Sequence, residues 1–139
     1  MPSINPYLNF AGNTEEAFTF YQSVFGGELS IMRFSDTPAG ADVPSTVKDK
    51  VMHASLPIGK DNILMATDAC EEMGFNLKQG NNHYICISPD SKEEADKLFN
   101  SLAEDGKINM PLADMFWGAY YGDLTDKFGI QWMVNYQKH

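Results

Sequence analysis

Glu15-Glu16-Ala17 recurs 78 positions further on as Glu93-Glu94-Ala95, and each copy stands near the start of a segment with the same signals in the same order. A strand pattern comes first, at residues 4–10 and again at 82–88. A capped helix follows. In the first half Asn13 is placed to cap, and Glu16 three residues on completes a capping box. Ala17, Phe20, Tyr21, Val24 and Phe25 recur at helical spacing and predict one apolar face. Gly26-Gly27 stops the helix, because glycine accepts the left-handed backbone of a C-terminal cap. In the second half Ser91 caps with Glu94 three on, Ala95, Leu98, Phe99 and Leu102 make the apolar face, and Gly106 is the predicted stop. Strand patterns then run at 28–35, 50–58 and 62–67, and at 108–112, 116–124 and 130–136. Identity between the halves is low, so the duplication rests on matched caps, stops and order. The prediction is an α+β chain of two β-α-β-β-β modules, about 1–69 and 80–139, forming one domain. A single helix covers one face of such a sheet and leaves the other face concave. Paired modules are expected to form open clefts between curved sheets, a common setting for ligands.

The 139 residues suit one domain that buries enough surface to need no staples. Acidic residues outnumber basic ones, 19 against 10, for a net charge of −9, and Arg33 is the single arginine. Nucleic acid and anionic membrane surfaces both call for a basic face, and none is present. Cys70 and Cys86 show no metal-binding or disulfide spacing and are expected to be buried or half-buried thiols. The first ten residues lack a basic segment followed by an apolar run. No stretch approaches the length of a membrane span. The expected setting is the cytoplasm.

Three blocks, "YLNFAGNTEEAFTFYQSVFGGEL", "VMHASLPIG…NILMATD" and "FWGAYYGDLTDKFGIQWMVNYQK", resemble the PhnB-like branch of the vicinal oxygen chelate superfamily. That superfamily includes glyoxalase I, extradiol dioxygenases, fosfomycin-resistance proteins and bleomycin-binding proteins. The resemblance covers nearly the whole chain and is most specific in "FWG…YG…TDKFGIQWM". It implies glyoxalase-like paired modules, a small-molecule ligand and a homodimer. Two labels attached to such proteins, phosphonate-operon protein and demethylubiquinone methyltransferase, do not identify a reaction. A methyltransferase also lacks support here, because no glycine-rich strand-to-helix turn is present to cradle a nucleotide-like cofactor.

The resemblance further implies a divalent metal held by His, Gln or Glu from the first and last strands of each module, acting as a Lewis acid on vicinal oxygens. Of those positions His83 is the only one that retains a ligand. Its counterpart in the first half falls at Asn5 or Pro6, and the last-strand positions fall at Met65 and Met133. Thioethers are poor ligands for hard divalent ions. The expectation is therefore no metal and no cofactor. A divalent metal is disfavoured, the one alternative set being His53 and His83 with a nearby carboxylate such as Asp114.

Strand alternation puts Gln131, Met133 and Asn135 on one face of the last strand and Trp132, Val134 and Tyr136 on the helix side. Residues 116–124 offer either Trp117, Ala119 and Tyr121 or Phe116, Gly118 and Tyr120. The first set is chosen for the cleft, on the argument that Gly118 leaves room for close packing behind it. The predicted ligand-binding residues are thus Met65, His83, Trp117, Tyr121, Gln131 and Met133. That lining suits a small, partly aromatic or amphipathic molecule, since Met adapts to flat apolar shapes and Trp and Tyr stack on them. Arg33 and His53 are the plausible partners for an anion. The catalytic group, if there is one, is unknown, with His53, His83 and Asp114 as candidates; metal-free acid/base chemistry at a histidine is the alternative to simple binding. His139 is expected to be unordered at the chain end.

Overall fold

Apolar residues at every second position bury one face of a strand and leave the other open, and this chain uses that rule in two sheets. The structure is a computed structural model that describes residues 2–38 and 42–137, so the expectation for His139 falls outside the described residues. The chain divides into two compact units, Met1–Lys78 and Gln79–His139.

In the first unit β1 (Tyr7–Phe10) leads to α1 (Thr14–Phe25), followed by β2 (Ser30–Arg33), β3 (Val51–Ile58) and β4 (Asn62–Asp68). The four strands form one sheet in the order β1-β4-β3-β2, with β1 parallel to β4 and the other pairs antiparallel. In the second unit β5 (Ile85–Ile87), α2 (Lys92–Leu102), β6 (Lys107–Asp114), β7 (Ala119–Thr125) and β8 (Gln131–Gln137) repeat the plan in the order β5-β8-β7-β6. The fold is thus the two-module, glyoxalase-like α+β arrangement.

Each helix covers one face of its own sheet, α1 on β3 and β4 and α2 on β7 and β8. Leu8 and Phe10 of β1, Leu56 of β3 and Leu64 of β4 are buried, as are Ala17, Phe18 and Tyr21 of α1. Phe18 meets Phe10 and Tyr21 edge-on, with ring centroids 6.4 and 5.6 Å apart. The helical face is therefore rotated from the predicted one: Phe18 is fully buried, while Phe20, Val24 and Phe25 are only half-buried. In the second unit Ala95, Phe99, Leu102, Leu124, Trp132 and Val134 are buried. Burying each large side chain of this kind stabilises the fold by about 1.5–3 kcal/mol.

The two helix starts differ. Ser91 caps α2 as predicted, its hydroxyl accepting from Glu94 N at 3.0 Å, and Glu94 reaches back to Asp90 N at 2.9 Å. Asn13 stands at the N-cap of α1 but makes no side-chain cap bond. Asp68, at the end of β4, supplies the acceptor instead: its two oxygens take Thr14 N at 3.0 Å and Val51 N at 2.8 Å. A carboxylate serves there because it satisfies an unpaired donor and faces the positive end of the helix dipole.

Two glycines act otherwise than the sequence suggested, and a third makes the close approach expected of one of them. α2 ends at Leu102, and the left-handed residue beyond it is Asp105 (φ 59°), not Gly106. Gly106 is required by contact, because a Cβ there would lie 2.5 Å from the Thr125 carbonyl oxygen. Gly118 sits in the β6–β7 turn with φ 95° and nothing within 4 Å of a Cβ, so it supplies backbone conformation rather than room. The close approach occurs at Gly122, where a Cβ would lie 2.8 Å from Leu112 N.

Candidate functional site

The register of each sheet identifies the residues on the face opposite its helix, since cross-strand partners share a face. In the first unit Tyr7 pairs with Met65, Met65 with Ser55, and Ser55 with Ser30, giving one row across all four strands. The neighbouring row holds Asn9 beside Thr67 and His53 beside Met32. In the second unit Cys86 pairs with Met133, Met133 with Asp123, and Asp123 with Met110. The row beside it holds Asn135, Tyr121 and Ala113. Met65 and Met133 thus occupy equivalent positions, each at the centre of the face away from its helix.

The register also shows what stands beside each methionine on the first strands. The residue beside Met133 is the exposed Cys86; His83, also exposed, precedes β5 and lies outside it. The residue beside Met65 is Tyr7, and the Met65 N–H donates to the Pro6 carbonyl at 3.1 Å. Cys86 was expected to be buried or half-buried; it is exposed, yet desolvation of its sulfur still raises the thiol pKa. The buried thiol is Cys70.

Tyr121 lies on the helix-free face, as chosen from the sequence. Its hydroxyl donates to Asp123 at 3.1 Å, and burial, followed by that bond, pushes its pKa up. Trp117 lies in the β6–β7 turn rather than in a strand; it is half exposed, and its ring centroid is 6.4 Å from that of Tyr121. Phe116, packed edge-on against Trp117, is 98 % exposed. Asn135 shares the row of Tyr121, and its buried Oδ1 meets no hydrogen-bond donor among the described residues. Trp132 and Val134 are buried on the α2 side, as alternation predicts, and the indole N–H of Trp132 donates to Asp126 at 2.8 Å.

Gln131 belongs to the same face, but its amide is engaged, donating to the His83 carbonyl at 2.7 Å. Gln131 also borders a groove of about 880 Å³, whose lining includes Gln79, Asn81, Tyr84, Lys107 and Lys127. Among the described residues the His83 ring hydrogen-bonds to its neighbour Asn82, Nδ1 to Oδ1 at 3.3 Å.

Asp114 is the last residue of β6, and His83 precedes β5; β6 and β5 are opposite edges of the same sheet. Three strand spacings of about 4.8 Å separate such edges by about 14 Å, too far for a carboxylate to orient that imidazole. Asp114 instead forms an ion pair with Lys92 at 3.7 Å. His53 has a partner that sequence reasoning missed: the Tyr7 hydroxyl lies 3.3 Å from its Nδ1. The pairing joins residues 46 positions apart across β4, and no local pattern could have signalled it. Arg33 is turned toward α1, bonded to Glu15 at 2.8 Å and to the Asp49 carbonyl at 3.1 Å, which raises its pKa further.

The metal implied by the resemblance can be tested against these donors. Of the positions it implies, Met65 and Met133 hold thioethers and Asn5 or Pro6 stands at a third, none of them a good ligand for a hard divalent ion. Among the described residues no three His, Cys, Asp or Glu side chains gather into a group that could hold a metal ion. The residues do not fit the group. No helix of the described residues is long and apolar enough to cross a membrane.

Comparison with known proteins gives a consistent set of relatives. A family model described as 3-demethylubiquinone-9 3-methyltransferase matches residues 2–135. The crystal structure of protein PA1353 from Pseudomonas aeruginosa is similar at 41 % identity and a TM-score of 0.87, with 100 % of each chain covered. Protein YjdN of Escherichia coli (strain K12) is 30 % identical over 97 % of this chain and 95 % of its own. A Bacillus cereus structure titled as a PhnB protein, putative 3-demethylubiquinone-9 3-methyltransferase, is 29 % identical with a TM-score of 0.76, covering 97 % and 99 % of the two chains. At 18 % identity a glyoxalase/bleomycin resistance/dioxygenase family enzyme from Burkholderia phytofirmans PsJN shares the fold, with a TM-score of 0.64 over 95 % and 97 % of the chains.

Proposed function

This chain belongs to the 3-demethylubiquinone-9 3-methyltransferase family, in the PhnB-like branch of the vicinal oxygen chelate superfamily, and from that premise we propose that it binds a small, partly aromatic organic molecule on the Met-centred faces of its sheets, without a divalent metal. The observation that carries this reading is the pair of methionines at equivalent register positions, where carboxylate ligands would be needed for a chelate. Around Met133 the surroundings suit a flat ligand, since Tyr121 and Trp117 offer rings.

Methyl transfer, as the family's description words it, has no support in the strand-to-helix turns. The positive end of α1 is filled by the Asp68 carboxylate, which opposes an anionic cofactor, and Ser91 caps α2. Glyoxalase-fold proteins are commonly dimers that bind small molecules, and a cytoplasmic homodimer is the form proposed here. The net charge of −9 with a single arginine disfavours nucleic acid as a partner. The contact of His53 with Tyr7 favours one second reading, metal-free acid/base chemistry at His53.

Tryptophan fluorescence tests the binding reading, because Trp117 is half exposed and Trp132 is buried. Titration with a panel of small aromatic probes is expected to quench saturably in the wild type. Trp117→Phe should abolish the quenching signal, and Met133→Ala should weaken binding about tenfold, or ~1.4 kcal/mol. Failure of every probe to bind would overturn the reading.

A further inference from the structure

We propose that Tyr7 and His53 form a hydroxyl-recognition pair, which receives the weakly acidic O–H of a flat phenol or enol lying over Met65. The inference rests on the binding reading above and names the ligand chemistry of the first unit's face. Tyr7 stands on β1 and His53 on β3, on either side of β4, and the Tyr7 Oη–His53 Nδ1 distance is 3.3 Å. Their ring centroids are 5.8 Å apart with planes tilted 38°, so the rings do not stack on each other. Met65 is half-buried between them, and Met32 beside His53 is 43 % exposed. Tyr7 is 46 % exposed, so the pair can be reached from solvent.

The contact with Tyr7 uses one ring nitrogen, and among the described residues His53 makes no other hydrogen bond, leaving Nε2 for a ligand. The two arrangements of the shared proton define what the pair can do. When the Tyr7 hydroxyl donates to Nδ1, Nε2 carries the ring proton and donates. When Nδ1–H donates to the Tyr7 oxygen, Nε2 presents a lone pair. In that second arrangement a bound phenol O–H donates to Nε2 and can pass its proton there. The O–H bond breaks, an N–H bond forms, and the imidazolium keeps its Nδ1–H on Tyr7, with the ligand oxygen as counter-charge.

The neighbours define the ligand class. The facing residues are Asn9, Ser30, Met32, Ser55, Met65 and Thr67, none of them ionisable. Arg33 is held by Glu15 against α1. A multiply charged phosphonate would lose its hydration there without a compensating cation. A flat molecule with one weakly acidic hydroxyl loses little, gains thioether contact, and meets both an acceptor and a donor.

The test compares 4-nitrophenol, whose ionisation is visible as yellow absorbance, with 4-nitroanisole, which has the same shape and no acidic proton. Calorimetry and absorbance are read on the full-length wild type, Tyr7→Phe, His53→Gln and Met65→Ala. The wild type is expected to bind 4-nitrophenol at least tenfold more tightly than 4-nitroanisole, with an increase in the ionised form. Tyr7→Phe and His53→Gln should each remove that preference by weakening 4-nitrophenol more than 4-nitroanisole, with urea unfolding midpoints read beside them to certify that the variants are folded. Met65→Ala should weaken both probes. Equal affinity for the two probes in the wild type, or a preference that survives both substitutions, would overturn the pair and leave the Met-lined face standing. Absence of binding by either probe would overturn both readings.

Discussion

Tyr120 lies on the α2 side of β7, where its hydroxyl donates to Asp96 at 2.5 Å and Lys92 lies 4.6 Å over its ring. The bond to Asp96, with desolvation and the Asp96 and Asp114 charges behind it, pushes the Tyr120 pKa up to about 12. The sign follows from the bond: the protonated phenol is the form the folded state favours. Its contribution to stability is fully present below the unfolded-chain value of about 10, and is lost as pH rises through the folded value. Urea unfolding midpoints of the wild type should therefore fall as pH climbs above about 10. Tyr120→Phe, which has no proton to lose, should flatten that fall. Equal pH slopes in the two proteins would show that Tyr120 is not so linked. Nothing near Tyr120 in sequence announces this role, because Asp96 is 24 positions away. Asp126 is different: it accepts from Phe128 N and Ile130 N within its own turn, as the turn sequence suggests, and also holds the Trp132 indole.

At the scale of elements, local signals located both helices and most strands, and failed where a distant residue took over a local duty. Ser91 and Glu94 cap α2 within four residues of chain, so the pattern was legible. The cap of α1 comes from Asp68, 54 positions downstream, and the sequence points instead to Asn13. Asp68→Ala removes acceptors from Thr14 N and Val51 N in a buried setting. It should destabilise by about 3 kcal/mol, as expected when a buried charged acceptor of two hydrogen bonds is lost. Asn13→Ala should cost under about 0.5 kcal/mol, since no cap bond is removed. Urea unfolding at neutral pH decides between them, and a larger loss in Asn13→Ala would contradict the assignment. Residues 116–118 read as strand because aromatics favour strands, but Gly118 at φ 95° turns the chain there and β7 starts only at Ala119.

For the whole molecule, the repeated strand and helix signals revealed the β-α-β-β-β plan twice over, and period-two alternation found the buried side of β8 through Trp132 and Val134. Register was not legible to one residue. β5 is three residues long, too short for alternation to fix its phase, so Cys86 as the neighbour of Met133 could not be read from the sequence. Tyr7 beside Met65, and its reach to His53, depend on a parallel pairing of strands from opposite ends of the first unit. The same pairings put Met65 and Met133 at matching places in the two sheets. Whether binding proceeds without a chelated ion is tested most directly by the divalent-metal content of purified protein, measured beside His83→Ala. The prediction is far less than one ion per chain in both samples. A near-stoichiometric metal in the wild type that is lost in His83→Ala would contradict it and restore a metal-dependent enzyme.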